Sequence, residues 1–225
     1  MINYTLTRSK RKTIGIYISR GTVEVRAPLK YPQSEIDSFV ISKQKWIQDK
    51  LAIFQKRAED KKTFTITYGS KIPFRGAMYP IVAREGGEAW FDGTYFYVPK
   101  KLDDFQIKKA CIETYRIIAK LHIVSRIIAF VPYIGDAPNA VNINNAKTRW
   151  GSCSSKKNLN FSWRLIMGDD DIIDYVVVHE LAHLLHMNHS AAFWSIVESV
   201  LPDYRQRQIK LKDLHHRLSA EDWDL

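Results

Sequence analysis

Residues 175–189 read YVVVHELAHLLHMNH, and this stretch guides the interpretation of the whole chain. It holds four of the seven histidines and begins with an apolar run typical of a buried helix. His179 and His183 are four residues apart, so on a helix they lie on one face, one turn apart. Two imidazole nitrogens at that spacing can bind one metal ion at about 2.0–2.1 Å each. The pattern therefore predicts a helix that carries a metal site.

A tetrahedral catalytic site needs a third protein ligand and leaves its fourth position for water. His186 shares the helical face of His179 but lies about 10 Å further along the axis, too far to bind the same ion. His189 can reach the ion only if the helix ends first. We expect a break at Met187–Asn188, because asparagine tolerates the left-handed conformation that ends helices. The other candidates for the third ligand are Glu198, His215 and His216.

The residue after His179 indicates the chemistry. In an H-E-x-x-H motif the metal lowers the pKa of its bound water toward about 7, and the glutamate takes the proton while the water attacks a polarised carbonyl. Glu180 is therefore the predicted general base, and Zn2+ is the predicted cofactor. The spacing to His189 equals that of metzincin proteases, but His186 stands at their usual glycine and no methionine turn follows. We expect a zinc-dependent hydrolase that acts on a peptide or protein.

The rest of the chain predicts an α+β fold. Residues 1–100 read as a β-rich N-terminal module with one helix, from Ser34 to about Arg57. Residues 101–225 read as a catalytic domain of helices and a sheet, although the two parts could form one continuous domain. Strands are predicted at 13–19, 22–27, 64–68, 79–83, 89–91, 95–98, 139–144 and 159–163. Helices are predicted from 103 or 104 to near Pro132 and from 169–171 through the motif, and two more between 191 and 218.

Composition points to a folded cytoplasmic protein. Hydrophobic residues make up 45% and charged residues 26% of the chain, within the range of globular proteins. The two cysteines show no spacing typical of a disulfide framework or of a thiolate metal site. The apolar stretches around Ile117–Ile134 and Tyr175–Leu185 contain charged or motif residues, so we expect no membrane span.

The net charge of +10 suggests further partners. Residues 1–100 hold 18 Lys and Arg against 9 Asp and Glu, whereas residues 101–225 hold 16 against 15. A basic half can attract nucleic acid or a nucleotide, because phosphate attraction is largely independent of sequence. Two alternatives to a simple peptidase follow: a metal-dependent nucleotide pyrophosphohydrolase, and a nucleic-acid-associated protease. A solvated basic surface explains the same charge.

Three segments resemble a known family: TRWGSCS at 148–154, LNFSWRL at 159–165, and IDYVVVHELAH at 173–183 followed by Asn188–Ser190 and Phe193–Trp194. Together they resemble the bacterial YgjP-like metal-dependent hydrolases, distant relatives of SprT-like and Wss1-like peptidases. The resemblance spans nearly the whole chain. It implies a zincin-type fold with zinc, bound by His179, His183 and His189, and Glu180 as the base.

The segment before the motif is a candidate for the rim of the cleft. In zincins an edge strand pairs with an extended peptide through backbone hydrogen bonds, and Trp150, Gly151 and Ser152 could form such a strand. A tight bend that depends on Gly151 explains the segment equally well. Arg149 could stabilise an oxyanion. The other candidates for that role are Tyr204, His215 and His216.

Overall fold

A computed structural model describes residues 2–19 and 21–225, and it divides the chain into two compact units. The first comprises the residues up to Phe64 with Ser219–Asp222, and the second comprises Thr65–Leu218 with Trp223–Leu225. Both combine helices with small sheets, which confirms the predicted α+β class. The division into 1–100 and 101–225, drawn from the change in secondary-structure pattern, stays a prediction. The boundary between the two compact units falls after Phe64.

The first unit contains a three-stranded sheet. Strand β1 (Thr5–Ser9) pairs in parallel with β3 (Thr22–Pro28), and β2 (Gly15–Ser19) pairs with β3 in antiparallel orientation. The hairpin of β2 and β3 follows the sequence prediction, although Arg20 of its turn lies outside the described residues. The sequence does not predict β1, because Leu6 is its only apolar side chain.

The predicted single helix from Ser34 to Arg57 is wrong. Two helices replace it, α1 (Gln33–Ser42) and α2 (Gln44–Thr63), with a break at Lys43. The break lets Ile36, Val40 and Ile47 pack in one small core with the sheet. One straight helix would spread these residues over about 16 Å, because each residue rises 1.5 Å. Ser34 lies inside α1 and does not cap it.

The first unit also carries much of the positive charge. Residues 1–64 hold 14 Lys and Arg against 6 Asp and Glu. Nucleic acid or a nucleotide as a partner of this region stays a prediction.

The second unit begins with a four-stranded sheet in the order β4-β5-β7-β6. The strands are β4 (Lys71–Phe74), β5 (Ala77–Arg84), β6 (Trp90–Phe91) and β7 (Phe96–Pro99). The strand predicted at 64–68 does not form, and the first strand of this sheet starts at Lys71 instead. The other three agree with the sequence to within two residues.

A long helix, α3 (Asp104–Ile134), runs through the second unit. Asp103 and Gln106 form a capping box at its start, and Gly135 ends it in the left-handed conformation. The helix thus continues two residues past Pro132, where the sequence predicted its end. By length and mean hydropathy (1.7) it could span a membrane, a test that buried core helices also pass. The expectation of no membrane span stays a prediction.

The remaining elements surround the histidine motif. A three-stranded sheet has the order β8-β10-β9, so β9 is an edge strand. A 3-10 helix follows β10, and three helices complete the unit. The last two lie between residues 191 and 218 as predicted, with Pro202 between them. The elements are β8 (Ala140–Asn144), β9 (Gly151–Cys153), β10 (Asn158–Ser162), the 3-10 helix (Trp163–Met167), α4 (Asp170–Ala182), α5 (Ala191–Val200) and α6 (Tyr204–Leu218).

Candidate metal centre

The helix α4 presents the motif residues and ends inside the motif. Asp169 caps its start, where the side chain accepts a hydrogen bond from the Ile172 N–H. The helix ends at Ala182, and the His186 N–H returns to the Ala182 carbonyl at 3.0 Å. The predicted break at Met187–Asn188 is therefore several residues too late. Asn188 is also not left-handed, so ordinary turns rather than a left-handed cap redirect the chain.

This early end brings His189 back to the other two histidines. One ring nitrogen each from His179, His183 and His189 lies within 4.8 Å of the others. The Nε2 atoms of His189 and His179 are 3.1 Å apart. Two nitrogens bound to one tetrahedral ion at 2.0–2.1 Å would be about 3.3 Å apart. The nitrogens of His179 and His189 therefore already have nearly the spacing of two ligands of one ion, and a His183 ring nitrogen lies within 4.8 Å of both.

A backbone contact sets the orientation of the second histidine. Nδ1 of His183 lies 2.9 Å from the carbonyl oxygen of His186, a contact that requires the proton on Nδ1. That tautomer leaves Nε2 of His183 free for a metal, and such outer contacts commonly orient metal-binding histidines. His186 thus contributes its backbone carbonyl, and the residue itself is half-buried. The sequence could not reveal this role, because it depends on the backbone.

Two aromatic side chains from α5 pack against the histidines. The ring of Phe193 lies 4.9, 4.6 and 4.8 Å from those of His179, His183 and His189. Trp194 stacks on His189 at 5.8 Å. Phe193 is fully buried. The sequence did not indicate that this core residue forms the floor under all three imidazoles.

Burial perturbs the ionisable groups at this site. It lowers the pKa of His179 to about 3, with help from His183 and His189, so the ring is neutral and keeps a lone pair for a metal. Burial also raises the pKa of Glu180 to about 8, while the charge of Arg149 lowers it. Oε2 of Glu180 is buried and has no hydrogen-bond partner among the described residues. A cation held by the histidines would favour the ionised carboxylate.

Strand β9 passes directly over Glu180. A Cβ atom added at Gly151 would lie 2.6 Å from both Cγ and Oε1 of Glu180, closer than real Cβ contacts. Glycine is therefore needed for the close approach of strand to carboxylate. Burial and the charge of Glu180 raise the pKa of Cys153 on the same strand, so its thiol is a poor nucleophile at neutral pH.

The other residues named from the sequence lie around this centre. Arg149, Trp150 and Gly151 line a cavity of about 200 Å³ beside Glu180. Ser152 lies on β9, where it pairs with Asn160. The alternative candidates for the third ligand and for the oxyanion make other contacts. Glu198 pairs with Arg205 at 3.4 Å, the ring of His215 packs against Trp150 at 6.2 Å, and Tyr204 stacks on Trp194 at 5.3 Å. Neither His215 nor His216 belongs to the histidine cluster found among the described residues.

The three clustered histidines define a candidate metal site at the end of a helix in a domain of helices and small sheets. A family model described as "YgjP-like, metallopeptidase domain" matches residues 12–214. The chain therefore belongs to the YgjP-like metallopeptidase family, which confirms the resemblance noted in the sequence. No match was found among curated proteins.

Two solved structures are similar over part of the chain. One is the metallopeptidase zymogen abylysin of Pyrococcus abyssi, with 21% identity and a TM-score of 0.38; the match covers 40% of this chain and 92% of that one. The other is the metallopeptidase zymogen jannalysin of Methanocaldococcus jannaschii, with 18% identity and a TM-score of 0.36; this match covers 40% of this chain and 94% of that one.

Proposed function

We propose that the chain is a zinc-dependent peptidase with a zincin-like catalytic domain, in which His179, His183 and His189 bind the metal. One observation carries the proposal: three imidazole nitrogens converge within 4.8 Å, beside the buried carboxylate of Glu180. Three protein ligands with one open position are typical of catalytic zinc. Membership of a metallopeptidase family supports a metal cofactor and a peptide as the substrate.

Glu180 acts as the general base of the proposed reaction. When bound, zinc would polarise the substrate carbonyl and make water acidic enough to lose a proton near neutral pH. Glu180 accepts the proton from the attacking water and delivers it to the nitrogen of the leaving amine. Phe193 and the His186 carbonyl hold the imidazoles in place during both steps.

The free edge of β9 is the proposed docking strand for the substrate. The backbone groups of Trp150 and Ser154 pair with β10. The Ser162 N–H donates to the Trp150 carbonyl, and the Ser154 N–H donates to the Asn158 carbonyl. In an antiparallel ladder the alternate residues face the other way. The backbone groups of Gly151 and Cys153 therefore face the free edge, where an extended peptide can add as a further strand. Arg149, Trp150, Gly151 and Ser152 form the rim of this cleft.

The cavity at the cleft favours a peptide over a nucleotide. Its volume of about 200 Å³ lies below the 300–1,000 Å³ of pockets that enclose whole drug-sized ligands. A single amino-acid side chain fits such a space, whereas a nucleoside triphosphate does not.

We expect the purified protein to hold about one zinc ion per chain and to cleave members of a mixed peptide library. Removal of the metal with a chelator should abolish cleavage, and zinc should restore it, because the metal supplies the activated water. Elemental analysis and mass spectrometry of the products measure both results. Full peptide cleavage by metal-free protein would contradict the proposal. Release of pyrophosphate from nucleoside triphosphates without peptide cleavage would favour the pyrophosphohydrolase instead.

Gly151→Ala should lower kcat/KM roughly 10- to 100-fold, because the added methyl group displaces Glu180 and a shift of about 1 Å can cost 10²-fold. It should also destabilise the fold by about 1–3 kcal/mol, as overpacking does. Gly86→Ala is the matched control, since that glycine is left-handed with nothing within 4 Å of an added Cβ. The control should lose some stability but keep its activity. Wild-type activity in Gly151→Ala would refute the close approach.

A further inference from the structure

The cavity beside Glu180 has apolar walls and one cationic group. Trp150, Tyr175, Val176 and Leu211 form its walls, and Arg149 also lines it. The Tyr175 hydroxyl accepts a hydrogen bond of 2.8 Å from Gln208, which holds that wall in place. A preformed space of about 200 Å³ can take the side chain of one residue.

Arg149 differs from the other arginines around this part of the fold. Arg126 is paired with Asp174, Arg207 with Asp203, and the buried Arg164 contacts Asp224. Within residues 2–19 and 21–225, Arg149 has neither an ion pair nor a hydrogen bond to a side chain or backbone group. Arg149 is exposed and lines the cavity, and its guanidinium group carries five N–H donors. Such a group attracts carboxylates and repels cationic side chains.

The position of Glu180 indicates which part of the substrate enters the cavity. Glu180 delivers its proton to the leaving nitrogen, so the amine side of the scissile bond must lie next to it. The cavity is lined by Glu180 and by Tyr175 and Val176, which precede it on α4. The residue that follows the scissile bond is therefore the one that the cavity can hold.

We propose that this cavity is a carboxylate-selective subsite, in which Arg149 binds a carboxylate of the residue that follows the scissile bond. This inference rests on the proposed peptidase function and adds a substrate class to it. The carboxylate can come from an acidic side chain at that residue or from a free C-terminus there. In the first case the enzyme is an endopeptidase that cleaves before Asp or Glu, and in the second it removes single C-terminal residues.

Four peptides test the subsite. They share one sequence up to the scissile bond, and a single residue, Glu or Gln, follows it. This last residue ends the peptide either as a free acid or as an amide, which gives Glu-acid, Glu-amide, Gln-acid and Gln-amide. We expect the wild-type protein to favour a carboxylate-bearing peptide by roughly 10- to 100-fold in kcat/KM, the range for hydrogen bonds to charged groups. Preference for Glu-amide over Gln-amide identifies the side chain, and preference for Gln-acid over Gln-amide identifies the C-terminus.

Arg149→Met should remove this preference, mainly by raising KM for the carboxylate-bearing peptides relative to KM for Gln-amide. Any effect through the charge of Arg149 on Glu180 should change kcat equally for all four peptides, so the ratio of KM values is the readout of the subsite. Arg149→Lys should keep part of the preference, because it retains the charge without the planar fork. Arg84→Met is the matched control: Arg84 is exposed, lies over Trp90, and belongs to the same compact unit. An equal fall in kcat for all four peptides in Arg149→Met, with the ratio of KM values unchanged, would overturn the subsite and assign Arg149 a role in kcat alone. Zinc content and Tm should be unchanged in all three variants.

Binding separates this inference from the proposed function. The same four peptides, labelled with a fluorophore, are titrated against Glu180→Gln and against Glu180→Gln combined with Arg149→Met, with fluorescence anisotropy as the readout. Binding that depends on both the carboxylate and Arg149, without cleavage by wild type, would support the subsite and contradict the peptidase. Cleavage of all four peptides at equal rates would support the peptidase and contradict the subsite. No carboxylate preference in either measurement overturns the subsite.

Discussion

Glu180→Gln should retain one zinc ion per chain and lose roughly 10²- to 10⁴-fold in kcat/KM, the usual contribution of general acid–base catalysis. Glutamine has the shape of glutamate but cannot take a proton from the attacking water. The substitution should not destabilise the fold, because the Glu180 carboxylate is buried and its Oε2 has no hydrogen-bond partner among the described residues. Metal analysis, thermal unfolding and steady-state kinetics on one cleaved peptide measure the three results.

Glu198→Gln is the matched control for this substitution. Glu198 lies on α5 in the same compact unit, is half exposed and pairs with Arg205. An exposed pair of this kind contributes about 0–1 kcal/mol, so stability, zinc content and kcat/KM should all stay close to wild type. If Glu180→Gln kept wild-type kcat/KM with its zinc bound, the role of general base would be wrong.

His189→Ala should bind zinc more than 10²-fold more weakly than wild type and lose its peptidase activity. Loss of an outer contact alone costs 10- to 100-fold in metal affinity, and His189 is proposed to bind the ion directly. Its Nε2 atom lies 3.1 Å from that of His179, so its removal leaves two of the three proposed ligands. Competition against a zinc indicator of known affinity measures the change in zinc affinity.

His186→Ala tests the same loop without removing a proposed ligand. His186 is half-buried, and its contact to His183 uses the backbone carbonyl, which alanine retains. This variant should keep its zinc affinity. A His189→Ala protein with wild-type affinity, together with a His215→Ala protein that has lost it, would reassign the third ligand.

The local sequence predicted most elements because their signals are short-range. The capping residues Asp103 and Asp169 and the interruption at Pro202 act within a turn or two of the chain. Two features that the sequence did not predict have a different cause. The break at Lys43 and the strand β1 depend on a sheet and core built from distant residues, which a local pattern cannot register.

The candidate site divides in a similar way. The sequence alone predicted that His179 and His183 share one face of a helix and that Glu180 follows His179 directly, because residues four apart lie one turn apart. The position of His189 needed both the early end of α4 and the packing of Phe193 against the rings. The sequence named His189 and its rivals, and the structure brought His189 to the other two histidines.

The stretch at 175–189 by itself therefore predicted a metal site, because four residues of helix suffice to aim two imidazoles at one ion. The folded chain alone decided what surrounds the three histidines. The sequence explained Gly151 equally well as a bend or as part of an edge strand. Only the structure shows why glycine is needed there, because an added Cβ would lie 2.6 Å from Cγ and Oε1 of Glu180. Arg149 is proposed as a specificity residue because the fold places it beside a cavity, with no ion pair or hydrogen bond to it among the described residues. Both depend on contacts between residues about thirty positions apart, which tertiary packing creates and sequence spacing does not encode.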